Sequence, residues 1–216
     1  MSDPSALRSV PSGTVNRPVY IALEGAEGCG KSTQAALLAE RLGAVLTRET
    51  GGTPVGARLR QILHDNDVDD LAPRAEALIA AADRAQHIHQ VVKPALDAGR
   101  SVVSDRSVYS SLAYQGYGRQ LDVDEVRKLN RWATGEVWPD VVILLEADDD
   151  IVAERMSARD LDRFEAAGDE FHQRVIDGFR ALAADEPERW ITVAATGTIA
   201  DVAAAIDDAL RERESR

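Results

Sequence analysis

The sequence predicts an α/β fold in three layers, with a five-stranded parallel sheet between two layers of helices. Short apolar runs of strand length alternate with helical patterns along the chain, and such alternation pairs strands in parallel through right-handed crossovers. The 216 residues are 44% apolar and show no internal repeat or linker. One well-packed domain is therefore expected, covering residues 19–213.

Five apolar runs predict the strands, and each is short enough to be buried in a parallel sheet; they cover residues 19–23, 44–47, 101–104, 141–145 and 190–193. Helical patterns separate these runs. The first has an apolar stripe that ends at Gly43, and the longest spans residues 71–99, with Pro94 as a predicted kink or break. Two later helices are indicated by caps, one by Asp122 and Asp124 and the other by residues 148–150 ahead of Ile151. Two more are indicated by periodic apolar residues over 171–184 and 199–210.

The two ends of the chain are predicted to lie outside the packed domain. Residues 1–18 contain Pro4, Pro11 and Pro18, and they hold no apolar stretch of the length that a signal peptide or a membrane span needs. We interpret them as a disordered tail. Residues 211–216 are predicted to be a fraying, charged helix end.

Charge and cysteine content restrict the expected partners. The chain has 37 acidic and 25 basic residues and a net charge of −12, which would repel a polyanion, so neither nucleic acid nor a membrane is expected as a partner. A single nucleotide in a local pocket of Arg and Lys remains compatible with this charge. The single cysteine, Cys29, forms no internal disulfide, which favours a reducing compartment and a cytoplasmic location.

The residues from Gly25 to Ser32 spell GxxxxGKS directly after the first predicted strand. In such a phosphate-binding loop, glycines let backbone N–H groups point at phosphate oxygens, Lys31 bridges the outer phosphates and Ser32 ligates Mg²⁺. An ordinary glycine-rich turn is the alternative, but the strand before the motif and the helix after it favour phosphate binding. The predicted ATP-binding residues are Gly25, Ala26, Glu27, Gly28, Cys29, Gly30, Lys31, Ser32 and Thr33.

Asp105 and Arg106 directly follow the third predicted strand, so they should meet the phosphate loop at the carboxyl edge of the sheet. Phosphoryl transfer needs positive charge near the transferred group, and Arg48, Arg84 and Arg106 can supply it. A motor ATPase or GTPase would need a switch loop or a water-positioning residue. The guanine-reading Asn-Lys-x-Asp motif of GTPases does not occur in the sequence.

Residues 155–165 carry three arginines, Arg155, Arg159 and Arg163, between two predicted helices. One interpretation is a solvated, salt-bridged helix face. The other is a mobile lid that brings guanidinium groups onto phosphates once nucleotides are bound. The pattern itself does not decide between the two.

A series of motifs, in order and at plausible spacing, resembles those of bacterial thymidylate kinases: residues 25–33, 48–53, 82–87, 105–106, 110–116 and 162–165. The resemblance runs from about Val19 to the last helix. It implies a P-loop kinase fold with a small lid segment at about residues 155–167. It also implies phosphorylation of dTMP to dTDP with ATP and Mg²⁺, by a cytosolic homodimer.

Within the matched motifs, the resemblance implies a role for individual residues. Ser32 would bind Mg²⁺, and Asp105 would orient Mg²⁺ or its waters. The residue at position 27 bears on the lid, because a residue other than arginine there is typical of members whose lid supplies catalytic cations. The implied catalytic residues are Lys31, Arg106, Arg159 and Arg163. The implied acceptor contacts are Glu27 near the sugar 3′-hydroxyl, Tyr114 near the 2′ position, Arg84 and Ser111 at the base, and Arg48 and Arg106 at the acceptor site.

Three positions depart from the family pattern, and all concern the acceptor. Ala80 stands where the family usually has a phenylalanine that stacks on thymine, so Phe164 or Tyr117 would have to supply a ring. Thr50 replaces a proline, and a trans bond is expected before it because a cis bond to another residue type is costly. Ser107 replaces a tyrosine. These departures leave two alternatives open, a kinase of another pyrimidine monophosphate and a nucleotide-binding regulator without a working acceptor site.

Overall fold

The computed structural model describes residues 17–68, 70–147 and 162–215. Five strands form one parallel sheet in the order β2-β3-β1-β4-β5. Their bounds are β1 Tyr20–Glu24, β2 Val45–Arg48, β3 Val102–Asp105, β4 Val141–Glu146 and β5 Trp190–Ala194. The predicted sheet is confirmed. Each strand ends one residue later than its apolar run. In four of the five strands the added residue is polar and still pairs, as Arg48 does with Asp105.

Helices cover both faces of the sheet. The α-helices are α1 Lys31–Leu42, α2 Pro54–His64, α3 Pro73–His87, α4 Lys93–Asp97, α5 Val108–Ser111, α6 Val123–Thr134, α7 Asp169–Asp185 and α8 Ile199–Glu214. Two π-helical segments, Ile88–Val92 and Leu112–Gly118, and a 3₁₀ turn at Glu165–Ala167 complete the described elements. The sequence analysis missed α2, although Thr53 accepts the Gly56 N–H at 2.9 Å as its N-cap and Pro54 opens it.

The other helix predictions have mixed outcomes. The long pattern 71–99 divides into α3, a π-helical turn and α4, so the predicted break near Pro94 is confirmed. Asp122 caps α6 by accepting the Glu125 N–H at 2.9 Å. The cap predicted at residues 148–150, and residues 1–16 of the predicted tail, lie outside the described residues.

Strand order determines where the site lies. Since β1 and β3 are neighbours, with Leu23 opposite Asp105, the loop after β1 and the turn after β3 meet at one edge, as expected. Apolar cores on both sides hold the sheet in place, one built around Tyr109 and Phe179 and the other around α1. Within the described part of the chain, no helix is both long and apolar enough to cross a membrane.

Candidate active site

A cavity of about 690 Å³ opens at the carboxyl edge of the sheet. Its wall includes most of the phosphate loop, the ends of β2 and β3, part of α3 and the residues that follow position 161. Ligands of doubly wound sheets bind at this edge, and pockets for small molecules typically have volumes of about 300 to 1,000 Å³. The two predicted motifs therefore share one cavity.

The loop between β1 and α1 has the backbone that phosphate binding requires. Gly25 has a φ of 139°, and a Cβ on it would lie 2.4 Å from the carbonyl oxygen of Leu145, so the chain needs glycine there. The Lys31 ammonium donates to the carbonyl of Ala26 at 2.6 Å. Because α1 begins at Lys31 without an acidic residue in its first turn, its free N–H groups and positive dipole end attract an anion.

Residues 27–33 of the predicted ATP-binding set line the cavity, whereas Gly25 and Ala26 lie outside its lining. Cys29 is buried, with its sulfur 3.6 Å from the Lys31 nitrogen. The loop therefore presents the backbone of its second half, together with the Lys31 and Ser32 side chains, to a ligand.

The two predicted metal ligands contact each other. The Ser32 hydroxyl donates to the Asp105 carboxylate at 2.5 Å. Mg²⁺ prefers oxygen ligands, keeps several waters and is usually held by one or two protein groups plus substrate phosphates. A serine hydroxyl beside a carboxylate fits this mode of binding. Among the described residues, no group of three or more His, Cys, Asp or Glu side chains could hold a metal ion.

Arg106 joins the phosphate loop to Tyr114 on another part of the cavity wall. Its guanidinium donates to the carbonyl of Gly25 at 3.2 Å, to the hydroxyl of Tyr114 at 3.0 Å and to the carboxylate of Glu27. It also lies 5.0 Å from the centre of the Tyr114 ring. Three predicted site residues, Arg106, Glu27 and Tyr114, are thus in direct contact with one another.

A buried carboxylate that the sequence analysis missed holds the turn after β3. Glu24, at the end of β1, accepts the backbone N–H of Ser107 at 2.8 Å and the hydroxyls of Ser107 and Ser110 at 2.7 and 2.6 Å. Burial raises its pKa, although Arg106 opposes the shift. Arg106 has a φ of 71°, uncommon for a residue other than glycine. The acidic side chain of Glu24 at the end of an apolar run was the available signal in the sequence.

Glu27 should make the stability of the fold depend on pH in the acid range. Burial opposes ionisation of this carboxyl, but Arg106 and Lys31 outweigh burial and lower its pKa from 4.5 to about 2. The unfolded chain then binds more protons at this site than the folded protein. The stability that Glu27 contributes is therefore complete above its unfolded pKa and is lost as the pH falls towards 2.

Glu27→Gln should accordingly lose unfolding free energy less steeply than wild type between about pH 5 and about pH 3, measured by urea denaturation at constant ionic strength. Glu136→Gln is the matched control, since its carboxylate contacts Arg131 but its side chain is 65% exposed. The control should keep the wild-type slope. Equal slopes for Glu27→Gln and wild type would contradict the assignment.

Arg84 is buried in a hydrogen-bonded network and also lines the cavity. Its Nε donates to Glu49 at 2.7 Å, and one terminal nitrogen donates to Ser111 at 3.0 Å and to Asn130. The other terminal nitrogen donates to the carbonyl of Ser107 at 3.2 Å. Described residues thus use four of its five N–H donors, and the fifth can serve a ligand.

The peptide bond between Glu49 and Thr50 is cis, so the predicted trans bond was wrong. Contacts from α3 hold the chain on both sides of this bond. The Glu49 carboxylate lies 2.7 Å from His87 Nδ1, and the Gly51 N–H donates to Asp83 at 2.9 Å. The prediction used only the local preference of the dipeptide, which these long-range contacts override.

Another part of the cavity wall is apolar. Ala80, one turn before Arg84 on α3, is buried there, and the ring of Phe164 faces the same cavity. Phe164 meets the ring of Tyr114 edge-on at 5.7 Å and that of His64 at 5.2 Å. Of the two rings considered as substitutes, Phe164 lines the cavity and Tyr117 does not.

Arg48 and Arg60 add positive charge to the same cavity. Burial and, after it, the neighbouring Arg48 lower the pKa of Arg60, which donates to the backbone oxygen and hydroxyl of Thr50 at 3.3 Å. Two adjacent guanidinium groups favour an anion between them. Arg60 was missed because it lies on α2, which the sequence analysis did not predict.

The arginine-rich segment is described only in part, because Arg155 and Arg159 lie outside the described residues. Arg163 donates to Glu76 at 2.7 Å and to the carbonyl of Leu63 at 2.9 Å, and it is not part of the cavity wall. As it stands, Arg163 fits the interpretation of a salt-bridged side chain. Its catalytic role and that of Arg159 stay predictions.

This fold, with a phosphate loop, a Ser32–Asp105 pair and several cationic side chains around one cavity, defines a P-loop phosphotransferase. A family model described as thymidylate kinase matches residues 23–206. The chain belongs to the thymidylate kinase family.

Individual relatives agree with that membership. A thymidylate kinase of Leifsonia xyli subsp. xyli is 50% identical over 207 residues, which cover 92% of this chain and 96% of the relative. One from Synechococcus sp. (strain JA-2-3B'a(2-13)) is 48% identical over 191 residues, with 86% and 91% covered. The crystal structure of thymidylate kinase from Ehrlichia chaffeensis superposes with a TM-score of 0.75 at 30% identity, covering 90% of this chain and 99% of that one.

Proposed function

We propose that this enzyme transfers the γ-phosphoryl group of ATP to dTMP, giving dTDP and ADP, with Mg²⁺ and in the cytoplasm. The contacts of Arg106 with Gly25 and Glu27 of the phosphate loop and with Tyr114 outside it carry the proposal, because a cation in that position suits the junction between a donor phosphate and an acceptor phosphate. The free, buried thiol of Cys29 is consistent with a reducing compartment.

In the transfer step, a phosphate oxygen of dTMP attacks the γ-phosphorus of ATP while the bond to the β-phosphate oxygen breaks. The acceptor oxygen is already ionised, so positioning and charge do most of the work. The Lys31 ammonium exchanges the Ala26 carbonyl for oxygens of the transferred group. Arg106 binds the acceptor phosphate, with Arg48 and Arg159 as further cations. Ser32 and Asp105 would hold Mg²⁺, which would supply positive charge to the phosphate oxygens.

The nucleoside of dTMP is assigned to the wall that Arg84, Ser111 and Tyr114 form. The fifth N–H donor of Arg84 suits a carbonyl oxygen of the base. The Ser111 hydroxyl lies 3.0 Å from the Arg84 guanidinium and lines the same cavity. Glu27 accepts from the Tyr114 hydroxyl at 3.2 Å, so these two groups are close enough to contact the 3′-hydroxyl and the 2′ position of one sugar.

A panel of nucleoside monophosphates at fixed ATP tests this function. The enzyme should form diphosphate from dTMP with a higher kcat/KM than from dUMP, dCMP or any ribonucleotide. A higher value for dCMP or dUMP would identify a kinase of another pyrimidine, which the small Ala80 side chain keeps as the second candidate. If the protein phosphorylated no monophosphate, the alternative that remains would be a nucleotide-binding regulator without a working acceptor site.

We also propose that two chains pair through α2, α3 and α6. Four large apolar side chains on these helices are exposed, with exposed fractions from 42% to 85%: Val55, Ile62, Leu78 and Trp132. Helix α3 packs on both α2 and α6, so the three helices are adjacent, with α3 in the middle. Apolar surface of this kind usually marks an interface.

Leu78→Asp should therefore convert the enzyme from a dimer to a monomer of 23.4 kDa in sedimentation equilibrium. A buried carboxylate without a partner at a symmetric interface occurs twice and is costly. Leu42→Asp, at the end of α1 and also exposed, should leave the dimer intact. A wild-type protein that sediments as a monomer would contradict the proposed pairing.

A further inference from the structure

Glu76 is a fully buried carboxylate that joins three parts of the chain outside the phosphate site. It lies on α3 and accepts from the amide of Gln115 at 2.9 Å and from guanidinium groups of Arg119 at 3.1 Å and Arg163 at 2.7 Å. A buried charge is tolerated when it is paired and hydrogen-bonded. These contacts tie α3 to the end of the second π-helical segment and to the residues that follow position 161.

The two arginines that Glu76 holds also contact the ring of Phe164. The Arg163 guanidinium lies 4.9 Å from the ring centre and that of Arg119 lies 5.8 Å from it. Phe164 lines the same cavity as Ala80 and belongs to the same apolar cluster. Glu76 and Ala80 are four residues apart on α3, so they lie on one face of the helix. The face that binds the two arginines therefore also carries the small Ala80 side chain in the wall of the cavity that Phe164 lines.

We propose that Glu76 is a positioning residue for the acceptor base, acting through Arg163 to hold the Phe164 ring in the cavity wall. The ring then provides the apolar contact for a pyrimidine that Ala80 is too small to give. This inference rests on the proposed acceptor site. Arg163 acts on the acceptor pocket from behind the ring and not on the transferred phosphoryl group.

The test compares steady-state constants of Glu76→Gln, Arg163→Ala and Phe164→Leu. Each should raise KM for dTMP by about tenfold, the scale of one lost stacking contact, with KM for ATP changed less than about twofold and kcat less than about threefold. Glu186→Gln is the matched control. Glu186 also binds two arginines and a hydroxyl, Arg127 at 3.0 Å, Arg189 at 3.2 Å and Tyr109 at 2.7 Å, but lies outside the cavity wall. Its constants should remain those of wild type.

Two combinations separate positioning from a general structural role. The double variant Glu76→Gln with Arg163→Ala should bind dTMP no more weakly than the worse single variant, because both changes release the same ring. Adding Ala80→Phe to Phe164→Leu should restore KM for dTMP to within about threefold of wild type, since a ring then borders the pocket from α3.

A fall in kcat of about a hundredfold or more for Arg163→Ala at unchanged KM for dTMP would overturn the proposal and make Arg163 a catalytic residue. Unchanged constants in both Arg163→Ala and Phe164→Leu would overturn it as well. Arg163→Ala leaves Glu76 paired with Arg119 and Gln115, so it decides the question even if Glu76→Gln fails to fold. A wild-type enzyme without activity on dTMP would instead refute the proposed function.

Discussion

Arg106→Ala is expected to lower kcat/KM for dTMP by about 10⁴, which corresponds to about 5 kcal/mol of transition-state stabilisation. Arg106 is 14% exposed and contacts the phosphate loop, Glu27 and Tyr114. Its removal takes away the cation between the two phosphates and leaves the Glu27 carboxylate facing them. Repulsion between that carboxylate and the phosphates adds to the loss.

Arg106→Lys separates charge from geometry. Lysine keeps the charge but cannot form the planar two-pronged contact of a guanidinium, so a loss of about 10² is expected. Arg131→Ala, which removes an exposed arginine paired with Glu136, should leave kcat/KM unchanged. Rapid-quench measurements at saturating ATP give these constants. An Arg106→Ala variant that is folded by circular dichroism and keeps more than a tenth of wild-type kcat/KM would contradict the assignment.

Lys31→Ala is expected to lower kcat by about 10³ while it weakens ATP binding by about tenfold. The ammonium is buried within the phosphate loop, where it donates to the Ala26 carbonyl, so it lies where the phosphates would bind. A positive charge matters most where negative charge develops during transfer, and the effect on kcat therefore exceeds the effect on affinity.

Calorimetric titration with a non-hydrolysable ATP analogue gives the affinity, and single-turnover kinetics give the rate. Lys93→Ala is the control, because that lysine is exposed and pairs only with Asp97 on its own helix among the described residues. Equal losses in affinity and rate for Lys31→Ala would show that the lysine only binds the nucleotide.

Most of the fold could be predicted from the sequence because its signals are local. The apolar runs located all five strands, and the phosphate-loop motif located the start of α1. The meeting of the phosphate loop with Asp105 and Arg106 followed from one topological rule, that carboxyl ends of parallel strands share an edge, and the contact of Ser32 with Asp105 is found there. Helix α2 was the main omission, since its N-cap Thr53 is the last residue of a motif that was interpreted only as a binding loop.

The supporting carboxylates could not be predicted in the same way. Glu24, Glu49 and Glu76 are all buried, and their arginine partners are between 35 and 87 residues away in the sequence. Nothing in the local pattern of a helix or a strand marks an acid as buried. The position of Arg163 illustrates the same limit, because a buried Glu76 on α3 determines which way that side chain points.

The central claim is that one cavity holds ATP and dTMP end to end, so that the phosphoryl group passes directly between them. Incubation of the enzyme with Mg²⁺, dTMP and ATP labelled in the γ-phosphate tests it most directly. All transferred label should appear in dTDP, in amounts equal to the ADP formed, and none should be released without dTMP. Label in inorganic phosphate at a rate independent of dTMP, or no labelled dTDP at all, would contradict the claim.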